Sequence, residues 1–170
     1  RGGTVSGSTN LTLNAGTLTW AGGSLIGSGE ILIASGANLT IEATNANNVR
    51  LAGRTLRNDG TVAWKAGQWN TDSGATLDNR AGALFTVAFD GIMAGTRNFT
   101  NRGTFQKTAG PGVLTLTDQF HNHGVVDVQS GTLSLSGGGN HSGTFNTVPT
   151  SSLSFVAVAP TTHLLNSNAV

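Results

Sequence analysis

Leu56-Arg-Asn58-Asp-Gly60 is the first of four copies of one phrase in the middle of this chain. The other copies are Leu77-Asp-Asn79-Arg-Ala-Gly82, Phe99-Thr-Asn101-Arg-Gly103 and Phe120-His-Asn122-His-Gly124. The asparagines recur at an almost constant spacing, and a weaker fifth copy follows at Asn140-His-Ser-Gly143-Thr-Phe145. A short repeat of apolar, β-branched and glycine residues is typical of a solenoid. The phrase therefore predicts a stack of similar coils.

Short strands are predicted on both sides of the repeated phrase. Apolar and polar residues alternate from Leu11 and Leu13 to Leu39 and Ile41, and the alternation returns after Gly131. Apolar residues at helical spacing are missing, so the chain is predicted to be all-β. Two or three strands in each period of about 21–22 residues predict a right-handed parallel β-helix (β-solenoid) of about seven or eight coils.

We assign residues 1–170 to a single solenoid, in which residues 11–145 have the clearest repeat and 146–170 form a terminal coil or tail. The segment Leu25-Ile-Gly-Ser-Gly29-Glu-Ile31 looks like an earlier, degenerate copy of the phrase, which precedes Leu56 by roughly one and a half periods. The polar stretch 43–48 is rich in residues that favour turns. We therefore expect the extra residues of this long first interval to form a loop there.

Equivalent positions of stacked coils form columns, and two columns are predicted to fill the core. The first column lies two residues after each glycine and contains Val62, Leu84, Phe105, Val126 and Phe145. The second lies at the start of each phrase and contains Leu56, Leu77, Phe99 and Phe120. Burial of each side chain contributes ~1.5–3 kcal/mol. The two columns are therefore expected to fix the register between coils.

The asparagines of the phrase form a third column, Asn58, Asn79, Asn101 and Asn122. They share the parity of the apolar positions, so they are predicted to point inward at a corner of the coil. Stacked amides can donate and accept hydrogen bonds between coils, which would give a ladder. The alternative is that each asparagine is an independent surface turn residue. Four copies in register favour the ladder.

Charge is scarce and nearly balanced. The 170 residues contain 9 Lys and Arg, 8 Asp and Glu, and no Cys. This composition argues against nucleic-acid and anionic-membrane partners, and no apolar run is long enough to span a membrane. Because there are no disulfides, stability must come from packing and hydrogen bonds. The chain begins at Arg1 without a methionine or signal peptide, so we expect a processed or excised piece.

Candidate catalytic residues do not converge in the sequence. A polysaccharide hydrolase or lyase needs two or three carboxylates in one groove, and the period of the repeat does not bring the eight carboxylates together. His121 and His123 flank a ladder asparagine, so they are predicted to face solvent and not to bind zinc. The position after each ladder asparagine could form a weak strip for an anionic ligand: Asp59, Arg80, Arg102 and His123.

Tryptophan supplies a candidate for contact with a sugar ligand. Trp64 has the parity of the core positions, whereas Trp69 is predicted to be exposed and able to stack on a sugar ring. We predict no catalytic, cofactor-binding or metal-binding residue, and a candidate glycan contact at Trp69.

Once aligned, the coils resemble a known family of repeats. The resemblance rests on Gly16-Thr-Leu-Thr-Trp-Ala-Gly-Gly23, Gly53-Arg-Thr-Leu-Arg-Asn-Asp-Gly-Thr-Val-Ala-Trp64, Asn101-Arg-Gly-Thr-Phe-Gln-Lys-Thr-Ala-Gly110 and Gly124-Val-Val-Asp-Val-Gln-Ser-Gly-Thr-Leu-Ser-Leu-Ser-Gly-Gly138. These segments are similar to the β-strand repeats of large secreted bacterial surface proteins of the filamentous-haemagglutinin and autotransporter-passenger kind. The resemblance covers residues 11–165. It implies export, an extracellular or cell-surface location, and a rod that acts as a stalk, adhesive surface or fibre.

Three hypotheses for function follow. The first is an extracellular structural or adhesive rod without enzymatic activity, whose partners would be surface glycans. The second is a filament subunit that associates with copies of itself through open strand edges. The third is a carbohydrate-binding or carbohydrate-cleaving β-helix, which rests on the tryptophans and on analogy between folds.

Overall fold

The structure is a computed structural model that describes residues 3–43, 48–72, 74–95, 98–156 and 159–166. These residues form 23 β-strands. They contain no helix, and therefore none that is long and apolar enough to cross a membrane. Three strands make one coil, so the described chain completes seven coils and adds two strands of an eighth.

Each coil contributes one strand to each of three parallel sheets, A, B and C. Sheet A contains β1 Thr4–Gly7, β4 Gly23–Gly27, β7 Val49–Ala52, β10 Trp69–Asp72, β13 Gly91–Ala94, β16 Val113–Leu116, β19 Gly131–Leu135 and β22 Ser151–Phe155. Sheet B contains β2 Leu11–Leu13, β5 Glu30–Ile33, β8 Thr55–Asn58, β11 Thr76–Asn79, β14 Asn98–Asn101, β17 Gln119–Asn122, β20 Gly139–His141 and β23 His163–Leu165. Sheet C contains β3 Gly16–Trp20, β6 Ala37–Glu42, β9 Thr61–Ala66, β12 Leu84–Val87, β15 Thr104–Lys107, β18 Val125–Val128 and β21 Thr144–Thr147.

The pairing register advances by about one predicted period from coil to coil. In sheet C, Leu18 pairs with Leu39 and Phe105 pairs with Val126, and both intervals equal the first spacing between asparagines of the phrase. The parallel β-solenoid and its period are therefore confirmed. The right-handed winding stays a prediction, supported by the strong preference of parallel crossovers for that hand.

The earliest copy of the phrase lies later in the chain than the sequence suggested. Ile31, not Leu25, pairs with Leu56, so the first interval exceeds the regular period by only a few residues. Leu25 lies in sheet A and pairs with Leu51, because the glycines beside it belong to the turn between sheets A and B. The extra residues of this interval fall between β6 and β7. Residues 44–47 of that stretch lie outside the described residues.

One predicted core residue lies on the outer face of sheet C. Leu84 pairs with Thr61 and Thr104, and its side chain is half-buried, so its assignment to the core is wrong. Phe85 takes the inward position instead and is buried. A shift of a single residue exchanges the two faces of a strand. The prediction therefore placed the inward position of this copy one residue too early.

The displacement comes from a longer corner in the second copy of the phrase. The corner between β11 and β12 has two more residues than the corner between β14 and β15. It forms a turn in which the Ala83 N–H donates to the Arg80 carbonyl at 3.0 Å. Gly82 has a φ of +82°, which glycine adopts at little cost. Ala83, and not Gly82, therefore lies beside Gly103 of the next coil.

The other predicted core residues lie inside the solenoid. Seven of them are buried: Leu56, Leu77, Phe99, Phe120, Val62, Phe105 and Val126. Phe145, near the C-terminal end, packs against this core and is partly buried. Aromatic rings continue the core along the axis, with neighbouring centroids 5.0–6.0 Å apart: Trp20, Trp64, Trp69, Phe85, Phe99, Phe105 and Phe120. Edge-on and offset ring pairs of this kind each add ~0.5–1.5 kcal/mol to the effect of burial.

Candidate functional site

Side-chain amides form a continuous hydrogen-bonded chain at the corner between sheets B and C. Each asparagine lies at the end of its strand in sheet B, and consecutive ones are paired in the sheet register. The Nδ2 atom of each donates to the Oδ1 atom of the next: Asn58 to Asn79 at 2.8 Å, Asn79 to Asn101 at 2.8 Å and Asn101 to Asn122 at 2.9 Å. The structure thus places the four predicted residues in one ladder.

The second N–H of each ladder amide is also used. It donates at 2.9–3.0 Å to a backbone carbonyl at the start of sheet C in the following coil: Leu84, Thr104, Val125 and Thr144. The Oδ1 atoms of Asn58 and Asn122 additionally accept from the Gly60 and Gly124 N–H groups of their own corners. Because most of these polar atoms are hydrogen-bonded to the neighbouring coil or to their own corner, the ladder fastens the coils together from the inside.

The arginines of the predicted anionic-ligand strip are paired with a neighbouring carboxylate. Arg80 and Arg102 both contact Asp78, and Asp59 contacts Arg57 at 2.8 Å. These pairs lie on the surface, where an ion pair contributes ~0–1 kcal/mol. Alternating charges of this kind leave little net field for an anion.

Trp69 is not exposed, contrary to the prediction. Its side chain is 0% exposed, and its ring packs edge-on against Trp20 and Trp64 and stacks on Phe85. The parity of the strand explains the error, since β10 begins at Trp69 and its first residue points inward. A buried indole cannot stack on a sugar, so the proposed glycan contact is withdrawn.

Two of the carboxylates are held by neighbouring side chains. Asp118 is buried and accepts a hydrogen bond from the Thr71 hydroxyl. Asp90 is bound to Lys107. In the part of the chain that the structure describes, no group of three or more His, Cys, Asp or Glu side chains could hold a metal ion.

Sequence reasoning missed a buried lysine at the corner between sheets C and A. Lys107 occupies an inward position between Val87 and Val128 of the neighbouring coils, and its side chain is 0% exposed. Its Nζ atom donates to Asp90 Oδ1 at 2.9 Å and to the carbonyls of Ala109 (3.0 Å) and Gly110 (2.8 Å). The parity signal was present, because Lys107 follows the inward Phe105 by two residues.

The carboxylate of this pair links two coils. Asp90 Oδ2 accepts from the Gly112 N–H at 2.8 Å, while its other oxygen accepts from Lys107. The hydrogen bond from Lys107 is the main cause that lowers the pKa of the Asp90 carboxyl, and the Gly112 N–H adds to the effect against a smaller opposing effect of burial. Asp90 is therefore ionised, and it holds the corner of the following coil through the Gly112 N–H.

A second missed feature is a histidine pair at the C-terminal end. His141 pairs with Asn122 in the register and so continues the ladder column. The Nε2 atom of His163 lies 3.1 Å from the Leu135 carbonyl, which can only accept, so Nε2 carries the proton. Nδ1 of His163 then accepts from His141 Nε2 at 3.1 Å. Nδ1 of His141 is left buried, and no described residue hydrogen-bonds it.

We expect acid to destabilise this terminal coil. Burial, together with the charge of His163 and the other nearby histidines, lowers the pKa of His141 to about 4, against 6.5 in the unfolded chain. Between these values the unfolded chain binds more protons, so the stability of the coil falls as the pH drops from 6.5 to 4. The full loss is about 3 kcal/mol. Hydrogen exchange of residues 139–165 at pH 7 and pH 4.5 measures it.

His141→Asn is the matched control for this pH dependence. An asparagine at this position can accept from Asn122 and extend the ladder, and it does not titrate. We expect the variant to lose the acid sensitivity of the terminal coil while keeping its protection at pH 7. Equal acid sensitivity in the variant and the parent would contradict the assignment to His141.

A buried arginine joins the first three coils near the N-terminal end. Arg54 follows β7 at the corner between sheets A and B and is buried. Its guanidinium donates to the carbonyls of Ile26 (3.1 Å), Gly7 (2.7 Å) and Thr9 (3.0 Å). One side chain thereby fastens the two preceding coils. No periodic pattern in the sequence marks this position.

The two end faces carry most of the exposed large apolar side chains among the described residues. Val5 and Leu11 are exposed at the N-terminal end, where a recess of about 290 Å³ opens into the core. The C-terminal end exposes Phe155, Val156, Leu164 and Leu165. The recess is lined by Val5, Leu11, Leu18, Thr19, Trp20 and Leu25.

Comparisons with models of known protein families, with curated proteins and with solved structures find no match to this chain.

Proposed function

We propose that the chain is a structural rod without enzymatic activity, a segment of a secreted bacterial surface protein of the filamentous-haemagglutinin or autotransporter-passenger kind. The amide ladder is the observation that carries the proposal, because its inward amides hydrogen-bond one coil to the next. The aromatic core runs through the same coils. Such an interior supports stiffness along the rod.

The mechanism of such a rod is mechanical. Seven complete coils at the spacing of ~4.8 Å between strands give a body roughly 35 Å long. Every sheet runs along the axis, so a load along the rod is borne by three rows of backbone hydrogen bonds and by the amide ladder. A segment of this kind holds whatever adjoins it at a fixed distance from a surface. The hypothesis of carbohydrate binding has lost its main support with the burial of Trp69.

Two measurements on the chain and its source test the proposed function. An antibody against the outer face of the coils should label intact cells or the medium of the source organism. Incubation of the purified chain with a broad panel of polysaccharides should release no reducing or unsaturated ends and should retain no glycan. Labelling only after permeabilisation would overturn the extracellular location, and sustained release of sugar ends would overturn the structural role.

A further inference from the structure

The histidines of this chain all lie in sheet B or directly after one of its strands, in coils 6 to 8. Coil 6 contains β16, β17 and β18, and coil 7 contains β19, β20 and β21. Between these two coils sheet B is irregular, because β17 pairs with β14 through four residues but with β20 through one, Asn122 with His141. Histidine side chains make further contacts across this joint.

The His121 side chain replaces a backbone acceptor in the joint between β17 and β20. The Ser142 N–H donates to the Asn122 carbonyl at 2.8 Å, as a backbone bond between neighbouring coils should. Two residues earlier, the Asn140 N–H donates at 3.1 Å to the Nδ1 atom of His121. In a regular parallel pair the acceptor of such an N–H is a backbone carbonyl. An ionisable group has therefore become part of the hydrogen bonding of the sheet.

Two glycines lead the chain into this irregular strand. Gly138 has a φ of +77° and Gly139 a φ of +150°, and side chains rarely tolerate either conformation. A Cβ atom on Gly139 would also collide with the Phe120 carbonyl oxygen of β17. The chain thus enters β20 on a path that only glycine allows, and on this path the Asn140 N–H meets the imidazole ring.

The contact between His121 and Asn140 requires a neutral imidazole. A backbone N–H can only donate, so Nδ1 of His121 must carry a lone pair and Nε2 the proton. A protonated ring carries hydrogen on both nitrogens, and its Nδ1–H would then face the Asn140 N–H. His123 differs, since its Nδ1 lies 2.8 Å from the Ser142 hydroxyl, which can donate to a neutral ring or accept from a charged one.

We propose that His121 makes the joint between coils 6 and 7 a pH-sensitive hinge, in which the neutral imidazole holds β20 on β17 and protonation releases it. Sheets A and C stay paired across the same joint, because β16 with β19 and β18 with β21 are each in register through four residues. These four strands contain no histidine. Acid thus opens one sheet of three, and the rod remains continuous but loses stiffness at this point. The inference stands whether or not the rod lies at a cell surface.

The surroundings of His121 favour its neutral form. Thr100 of β14 pairs with it, and Thr100 and Asn140 are both uncharged. Burial, and after it the charge of His123, lowers the pKa of His121 from its usual 6.5. The contribution of the bond is therefore complete above pH 6.5 and is lost as the pH falls through the lowered pKa. The described titratable and charged side chains on the strands packed around His121, and on their corners, are His123, His141, His163, Arg102 and Asp118. Arg102 contacts Asp78, and Asp118 accepts from the Thr71 hydroxyl.

Nuclear magnetic resonance of the 170-residue chain between pH 8 and pH 5 tests the proposal. We expect the amide proton shift of Asn140 to change with the same midpoint as the ring of His121. In His121→Asn, an oxygen acceptor lies near the position of Nδ1 and does not titrate, so the shift of Asn140 should stay constant. The matched control is His123→Asn, the same change two residues further on, which should keep the response of the parent.

Hydrogen exchange in the His141→Asn variant separates the hinge from the acid response of the terminal coil, which this variant is expected to lose. Between pH 7.5 and pH 5 the protection factor of the Asn140 amide should fall by about two- to tenfold, the range for one lost hydrogen bond. Amides of β19 and β21 should keep their protection. Circular dichroism checks that each variant remains folded.

Four results would overturn the proposal. They are an Asn140 amide that does not follow the titration of His121, a response in His121→Asn equal to that of the parent, loss of the response in His123→Asn, and equal loss of protection in all three sheets of the His141→Asn variant. The last result would mean that coil 7 opens as a whole and not at one sheet.

Discussion

Asp90→Ala is expected to destabilise the solenoid by about 3–5 kcal/mol, because it leaves a buried ammonium without its carboxylate. Lys107 has no exposed surface. Its ammonium group donates to three acceptors, of which only the Asp90 carboxylate is charged. The change also removes the acceptor of the Gly112 N–H. Equilibrium unfolding in denaturant at pH 7 measures the difference.

Two further variants separate the buried charge from the loss of contacts. Lys107→Met should cost less than Asp90→Ala, because a Met fits an apolar column and the Asp90 side chain, 33% exposed, stays partly solvated. Combining the two changes should recover part of the stability lost in Asp90→Ala alone. If Lys107→Met were the more costly change, the loss would come from packing and not from the stranded charge.

Asp72→Ala is the control for an ordinary ion pair. Asp72 contacts Arg50 at 2.8 Å, but both side chains are about two-fifths exposed, at 41% and 42%. Pairs of this kind contribute ~0–1 kcal/mol because water screens them. The contrast between Asp72→Ala and Asp90→Ala therefore isolates the effect of burying Lys107.

The pair of Lys107 with Asp90 and the pair of His141 with His163 should lose their effect on stability in different pH ranges. The lowered pKa of Asp90 means that its contribution is complete at neutral pH and is lost only as the pH falls through the carboxyl range, below about 4. The contribution of His141 is lost earlier, between pH 6.5 and about 4. Acid should therefore loosen the terminal coil before it weakens the corner at Lys107.

Periodicity made the fold predictable, and it failed where a corner changed length. The spacing of the asparagines is set by the length of one coil, so a reading of the sequence recovers the coil and its inward columns. Leu84 was misplaced because the turn that ends at Ala83 has two extra residues, and a column argument assumes corners of constant length. Trp69 was misplaced because the start of a strand, which sets its parity, is not marked by any residue of the repeat.

The buried polar residues outside the repeat were harder to predict than the repeat itself. Lys107 and His141 both sit at inward positions that the alternation identifies, yet their chemistry suggests solvent. Each is satisfied by partners that the fold brings from other coils, Asp90 and His163. Arg54 reaches carbonyls up to 47 residues away in the chain. Such pairings follow from the stacking of coils and leave no local signature.

Asn101→Ala is expected to destabilise the chain by about 4 kcal/mol, since each buried group left without a partner costs ~1–3 kcal/mol. Asn101 lies in the middle of the ladder and is fully buried. Its removal leaves one N–H of Asn79 without an acceptor and takes the amide donor from the Val125 carbonyl, while Asn122 Oδ1 keeps the Gly124 N–H. The truncation also leaves a void beside the core. Thermal and denaturant unfolding measure the loss.

Asn98→Ala is the matched control, because Asn98 begins the same strand and is exposed. The same chemical change there should alter stability by no more than about 0.5 kcal/mol. Asn101→Asp tests the direction of the ladder, since a carboxylate still accepts from Asn79 but cannot donate to Asn122 or Val125. We expect it to be at least as destabilising as the alanine. An unfolding midpoint of Asn101→Ala equal to that of Asn98→Ala would mean that the amides are independent turn residues, and the ladder could then not be what fastens the coils together.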